Sequence, residues 1–88
     1  GGLGTFEELF EALTWAQIGV HRKPIGLLNV RRYFDPLLSA LDHAVEEGFI
    51  FREHRESIHC AEEPTELLRA MRSHHHPDEA VRRWMRQA

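Results

Sequence analysis

The sequence predicts an α/β domain: the C-terminal half of a doubly wound parallel sheet, with one extra helix appended at its C-terminus. Three observations point there. A glycine-rich stretch runs straight into an amphipathic helical pattern at residues 1–18, an almost continuous apolar run follows at residues 24–30, and helical stripes then alternate with a second strand pattern up to residue 72.

From Thr5 onward, Phe6, Leu9, Phe10 and Leu13 recur at helical spacing, so a helix is expected from about Phe6 to Ile18. Thr5 and Glu8 fit the Ser/Thr-x-x-Glu capping box at its start. Ala12, Trp15 and Gly19 fall on the opposite side of that helix, and two apolar faces imply two neighbours, the sheet and a second subunit. The run Pro24 to Val30 suits a strand buried on both faces. Asp35-Pro36 supplies an N-cap and an N1 proline for a second helix, whose stripe is Leu37, Leu38, Leu41 and Val45 and whose C′ stop is Gly48. Ser57 to Ala61 is a short strand, and Thr65 to Arg72 a short helix with Leu67, Leu68 and Met71 inward. Residues 1–72 thus form the body. Ser73 and three histidines break the pattern, Pro77 with Asp78 and Glu79 marks a new helix start, and residues 73–88 form a linker and a helix with Val81, Trp84 and Met85 as its stripe.

An 88-residue chain with a net charge of −3 offers one small domain and no electrostatic footprint for nucleic acid or an anionic membrane. Cys60 is the only cysteine, which excludes an internal disulfide and makes a reducing, cytoplasmic setting the expectation. No signal peptide or membrane-length apolar run is present.

The chemistry concentrates at the beginning. Gly1, Gly2 and Gly4 allow φ > 0 and close approach of backbone to a ligand, and Thr5 opens a helix whose free N–H groups and dipole attract an anion. This is a phosphate cradle without the Gly-Lys-Ser/Thr of a Walker A loop, and with Glu7 where a dinucleotide fingerprint would carry its third glycine. A tight turn is the plainer alternative. Because the stretch normally follows a buried strand, the residues read as the C-terminal half of a longer protein. Two roles are open to Glu8: capping the helix through the Thr5 N–H, or acting on a substrate. Glu7 lies about 100° round the helix from Glu8, so the two carboxylates cannot address one atom; Thr14 shares the face of Glu7 two turns on. His74, His75 and His76 with Cys60 invite a zinc reading, but consecutive histidines cannot all face one ion, and a solvated linker without metal is the expectation. Arg31-Arg32 and Arg82-Arg83 are expected to be solvated, because no aromatic platform interleaves them for nucleic acid.

Gly1-Gly2-Leu3-Gly4-Thr5-Phe6-Glu7-Glu8 matches all but the first residue of the PGGxGTxxE motif, and so resembles the Lonely Guy family of cytokinin riboside 5′-monophosphate phosphoribohydrolases. Thr14 to Gly19, Lys23 to Asn29 and Val45 to Ile50 resemble the same family in order and spacing, and the similarity extends from Gly1 to about Leu68. The resemblance implies an N-glycosidase-type hydrolase that splits an adenosine 5′-monophosphate, preferably N6-substituted, into free base and ribose 5-phosphate, with no cofactor or metal. It implies phosphate binding by Gly1, Gly2, Gly4 and Thr5, ribose binding by Glu7, a substrate contact at Thr14, and Glu8 as the catalytic carboxylate beside an arginine in an upstream half. It also implies a homodimer or larger assembly. Family members often carry a glycine before the tyrosine matching Tyr33; here that residue is Arg32. The alternative on the same fold is a non-catalytic carrier of a nucleotide or of a pterin-type molybdenum cofactor. A third possibility is an interaction module with no phosphate affinity. Proteins with this motif are often labelled lysine decarboxylases, but pyridoxal phosphate needs a Schiff-base lysine, and the only lysine, Lys23, precedes the first strand at its N-terminal edge.

Overall fold

The computed structural model describes residues 1–87. In chain order it contains helix α1 (Leu3–Gln17), strand β1 (Ile25–Leu28), a 3₁₀ turn (Val30–Arg32), helix α2 (Asp35–Glu46), a five-residue helix α3 (Arg52–Glu56), strand β2 (Ile58–Ala61), helix α4 (Pro64–Arg72) and helix α5 (Asp78–Gln87). The strands pair in parallel, Ile25 opposite Ile58 and Leu28 opposite Ala61. A parallel pair needs a crossover. Here α2 and α3 supply it.

Alternation along the strands sorts the layers. Leu27 and Ile58 point into the main core with Leu9 of α1, Phe34, and Leu41 of α2, while Phe6, Leu13, Ile25, Leu37, Leu38 and Ile50 pack around them. Gly26 points the other way. A Cβ placed on it would meet Met71 Sδ at 2.5 Å and Leu67 Cδ1 at 3.1 Å, so the absence of a side chain lets α4 close onto that face of the sheet. Helices on both faces of parallel strands confirm the partial doubly wound α/β class. The expected strand from Pro24 to Val30 is shorter at both ends, and Leu28 and Val30 stay exposed where no neighbouring strand covers them.

Both long helices stop at a glycine, α2 at the one its sequence predicts. After α2, Gly48 takes φ +81°, its N–H donates to Val45 O at 3.0 Å, and the Phe49 N–H donates to Ala44 O at 2.9 Å. After α1, Gly19 at φ +83° repeats this with bonds from Gly19 to Ala16 and from Val20 to Trp15. Each is a Schellman stop that consumes carbonyls the helix leaves free. Gly19 therefore lies past the helix and not on its second apolar face.

Several other expectations need correction. α1 begins at Leu3, three residues before Phe6, with Gly2 as N-cap and no side-chain capping bond, so the Thr5–Glu8 capping box does not form. Glycine at the cap and Leu3 in the first turn tolerate helical geometry, and Thr5, already the third residue of the helix, cannot serve as its N-cap. Positive φ among glycines occurs at Gly19 and Gly48, not at Gly2 or Gly4. Asp35 is the first residue of α2 rather than its cap, because its carboxylate is bonded by Asn29 Nδ2 at 2.7 Å and by Arg32 Nε at 3.1 Å. In α4 only Leu67 and Met71 reach the sheet, and Leu68 faces solvent. Met85 of α5 is likewise exposed; Ala80 and Val81 carry the burial instead.

The second neighbour of α1 within this chain is α5. Val81 is buried, with its Cγ1 3.2 Å from a Cβ position on Gly19, and Arg22 pairs with Asp78 at 3.2 Å. Helix α3, unexpected from its charged sequence Arg-Glu-His-Arg-Glu, is held by Arg55 Nε to Asp42 at 2.7 Å, by Arg83 to Glu53, and by burial of His54.

Candidate functional site

The site builds outward from the start of α1. In the first turn the N–H groups of Leu3, Gly4 and Thr5 precede the first intrahelical bond, which runs from Phe6 N to Gly2 O at 3.2 Å. No acidic residue falls in that turn, so the positive end of the helix dipole is uncompensated. Gly1, Gly2, Gly4 and Thr5 thus share one exposed helix end. Glu7 and Glu8 follow in the next turn, both exposed, and with no side-chain cap formed the Glu8 carboxylate is not spent on the helix start. Thr14 stands apart. It lies two turns further along, roughly 10 Å at 1.5 Å per residue, and its hydroxyl donates to Phe10 O of its own helix at 2.8 Å.

The carboxyl end of β1 meets this helix start, which is where an open α/β sheet places its ligands. The Tyr33 hydroxyl donates to the Gly1 carbonyl, and the Tyr33 ring stacks on Phe6 with centroids 6.3 Å apart while meeting Phe34 edge-on at 5.1 Å. Beside them opens a hollow of about 520 Å³ lined by Gly1, Leu28, Val30, Arg31, Tyr33 and Phe34.

Asn29 builds the loop between. It is 7% exposed; its Nδ2 donates to Asp35, its Oδ1 accepts the Phe34 N–H at 2.7 Å, and its own N–H donates to Ala61 O at 2.8 Å. All its polar groups on the loop side are used, which fixes the turn that carries Tyr33. Arg31 and Arg32 inside that turn take φ +53° and +59°. That is the left-handed region where glycine is at ease, and the resemblance drawn from the sequence leads one to expect a glycine at the position of Arg32. Arg32 offsets part of the strain by its pair with Asp35, whereas Arg31 borders the hollow.

Sequence reasoning missed two of these residues. Asn29 looked like the end of an apolar run, although a lone amide just after a buried strand is the signal that could have found it. Arg31 was read as merely solvated; it is exposed, yet the turn brings it to the wall that Gly1 shares.

The histidine-rich linker is not simply solvated, which corrects that expectation. His74 Nδ1 lies 2.9 Å from His59 Nε2, and His74 and His76 are both half-buried while His75 is exposed. Among the described residues no three histidine, cysteine or acidic side chains converge as a metal site. Burial pushes the Cys60 thiol up from its ordinary value, which leaves it a poor nucleophile. Lys23 is exposed and two residues ahead of β1, at the opposite end of the strand from the hollow.

Residues 1–71 match a family model described as "Possible lysine decarboxylase". The chain is 51% identical over 81 residues to a probable cytokinin riboside 5′-monophosphate phosphoribohydrolase of Oryza sativa subsp. japonica, covering 92% of this chain and 33% of the relative. It is 55% identical over 71 residues to the cytokinin riboside 5′-monophosphate phosphoribohydrolase LOG3 of Arabidopsis thaliana, covering 81% of this chain and 33% of the relative. A second Arabidopsis thaliana enzyme of that name, LOG4, is 49% identical over 81 residues, with 92% and 38% covered. The chain therefore spans about a third of the length of these curated relatives. With the family model matched over most of its length and the glycine motif seated at a helix start beside the strand end, the chain belongs to this family and, within it, to the Lonely Guy members.

Proposed function

We propose that the complete protein hydrolyses the N-glycosidic bond of a nucleoside 5′-monophosphate, an adenosine 5′-monophosphate preferably substituted at N6, to free base and ribose 5-phosphate. The observation that carries this reading is the exposed, acid-free first turn of α1 beside the hollow at the carboxyl end of β1, in a chain about half identical to phosphoribohydrolases. Gly1, Gly2, Gly4 and Thr5 bind the phosphate through backbone N–H groups and the helix dipole. Glu7 orients the ribose, and Thr14, further along the same face, touches the substrate where it extends over the helix.

Glu8 stabilises the positive charge that develops at the anomeric carbon as the bond to the base breaks. Water adds its hydroxyl to that carbon as the bond to the base breaks, and the proton it gives up balances the one the departing base takes, so the base leaves neutral. Neither a metal nor a cofactor takes part. The protein is cytoplasmic, works as a homodimer or larger assembly, and engages neither nucleic acid nor membrane; among the described residues no helix is long and apolar enough to cross a membrane.

The test is product analysis with the complete protein and an N6-substituted adenosine 5′-monophosphate. Release of ribose 5-phosphate in step with free base is expected. Tight binding without turnover would make the protein a carrier of a nucleotide or pterin-type cofactor, and absence of any phosphate affinity would make it an interaction module.

A further inference from the structure

Away from the hollow, four histidines gather where the linker crosses the body. His59 comes from β2, His54 from α3, and His74 and His76 from the segment between α4 and α5. His59 Nε2 and His74 Nδ1 are 2.9 Å apart, and the His74 ring meets those of His59 and His76 at centroid distances of 5.0 and 6.2 Å. The Nε2 atoms of His54, His74 and His76 are buried without a hydrogen-bond partner. His54 is 7% exposed and stacked on Phe51 with centroids 6.1 Å apart, and the Arg83 guanidinium of α5 also lies over the Phe51 ring, 4.9 Å from its centroid.

We propose that this histidine cluster is a latch that holds α5 against the body while its imidazoles are neutral and releases the helix when they take up protons. The His59–His74 contact requires one ring to donate and the other to accept, so it holds at most one proton between the two facing nitrogens. One added proton leaves an imidazolium donating to a neutral imidazole and keeps the bond; only when both rings are charged do both facing nitrogens carry protons, which breaks it and sets two cations about 5 Å apart. A proton on the buried Nε2 of His54, His74 or His76 has no acceptor, and an unpaired buried charge is strongly disfavoured. Of the groups facing the cluster, His75 on the linker and Arg83 on α5 disfavour a further proton, whereas Glu53 on α3 favours one on His54 but is itself paired with Arg83 and is outweighed there by burial and His76.

Burial, together with neighbouring positive groups, holds His54 and His74 below the ordinary imidazole value of 6.5. The Arg83 guanidinium holds Glu53 below the usual carboxylate range, so that ion pair persists through the same interval and does not mask the transition. Since the latched state binds fewer protons than the released one, acid favours release, with the change beginning as pH falls below about 6.5. Release uncovers the surface at Gly19, just past α1, on which Val81 rests.

Hydrogen exchange on the complete protein at about pH 7.5 and about pH 5.5, corrected for the intrinsic rate, tests the latch. The expected result is that protection of residues 78–87 falls by roughly tenfold or more at the lower pH while α2 keeps its protection, and that replacing His74 and His76 together by glutamine flattens this ratio. Equal protection of α5 at both pH values would overturn the proposal, as would an unchanged ratio in the double variant. If that variant frees α5 at every pH, His59→Gln alone decides: it removes the ring that faces His74 and must shrink the ratio, and a ratio as large as wild type would again overturn the latch.

Discussion

The Tyr33 hydroxyl donates a hydrogen bond to the Gly1 carbonyl, tying the loop after β1 to the residue that precedes the N-cap of α1. Tyr33→Phe in the complete protein keeps the ring stacked on Phe6 and removes only that tie. It is expected to cost about 1 kcal/mol of stability and to raise the nucleotide Kd severalfold with little change in kcat. Calorimetric binding beside steady-state kinetics checks this, and an unchanged Kd would separate the loop from the site.

Asn29→Leu strands the Phe34 N–H and the Asp35 carboxylate in the loop that Asn29 organises. Leaving a buried donor unsatisfied typically costs about 1–3 kcal/mol. Denaturant unfolding of the variant is expected to show a loss in that range, and a loss below about 0.5 kcal/mol would mean that water replaces the amide.

Glu8→Gln is expected to abolish base release while leaving nucleotide binding and the melting temperature essentially unchanged. Because no capping bond forms at the start of α1, the stability loss of about 1 kcal/mol that removal of a cap would bring is not expected. Loss of one electrostatic stabiliser of the transition state lowers turnover on the order of 10²–10³-fold. A variant with full turnover would remove Glu8 from the chemistry.

Arg32→Gly relieves a left-handed residue, worth about 1–2 kcal/mol, against roughly 0.4–1 kcal/mol of added freedom in the unfolded chain. The exposed pair with Asp35 contributes little. A net gain of about 0.5 kcal/mol is expected. A fall in melting temperature would show that the turn relaxes away from positive φ in the complete protein.

Trp15 is 46% exposed on α1, with Ile18 and Val20 exposed nearby. Trp15→Glu in the complete protein is expected to weaken self-association, because a charge buried at an interface costs several kcal/mol unless it is paired. Light scattering of wild type and variant at matched concentration decides, and a monomeric wild type would end the interface argument.

Local chemistry determined much of this chain directly. Apolar spacing located α1, α2, α4 and both strands, and the glycines that stop α1 and α2 do so because only a residue without Cβ takes φ near +80° freely. Tertiary structure decided what local pattern could not. Helix α1 starts at Leu3 with Gly2 as its N-cap, so Thr5 falls inside the helix and cannot serve as the cap that its spacing to Glu8 suggests. Helix α3 exists because Asp42 and Arg83, distant in sequence, bind its arginine and its glutamate. The same holds for function: the glycine motif names a phosphate end by its composition, but only the fold of Asn29 and Tyr33 sets that end beside a hollow, and only packing brings His59 against His74. Backbone preference and hydrophobic period act over a few residues and are legible in sequence, whereas pairings between residues 15 to 32 positions apart depend on which surfaces the collapsed chain brings together.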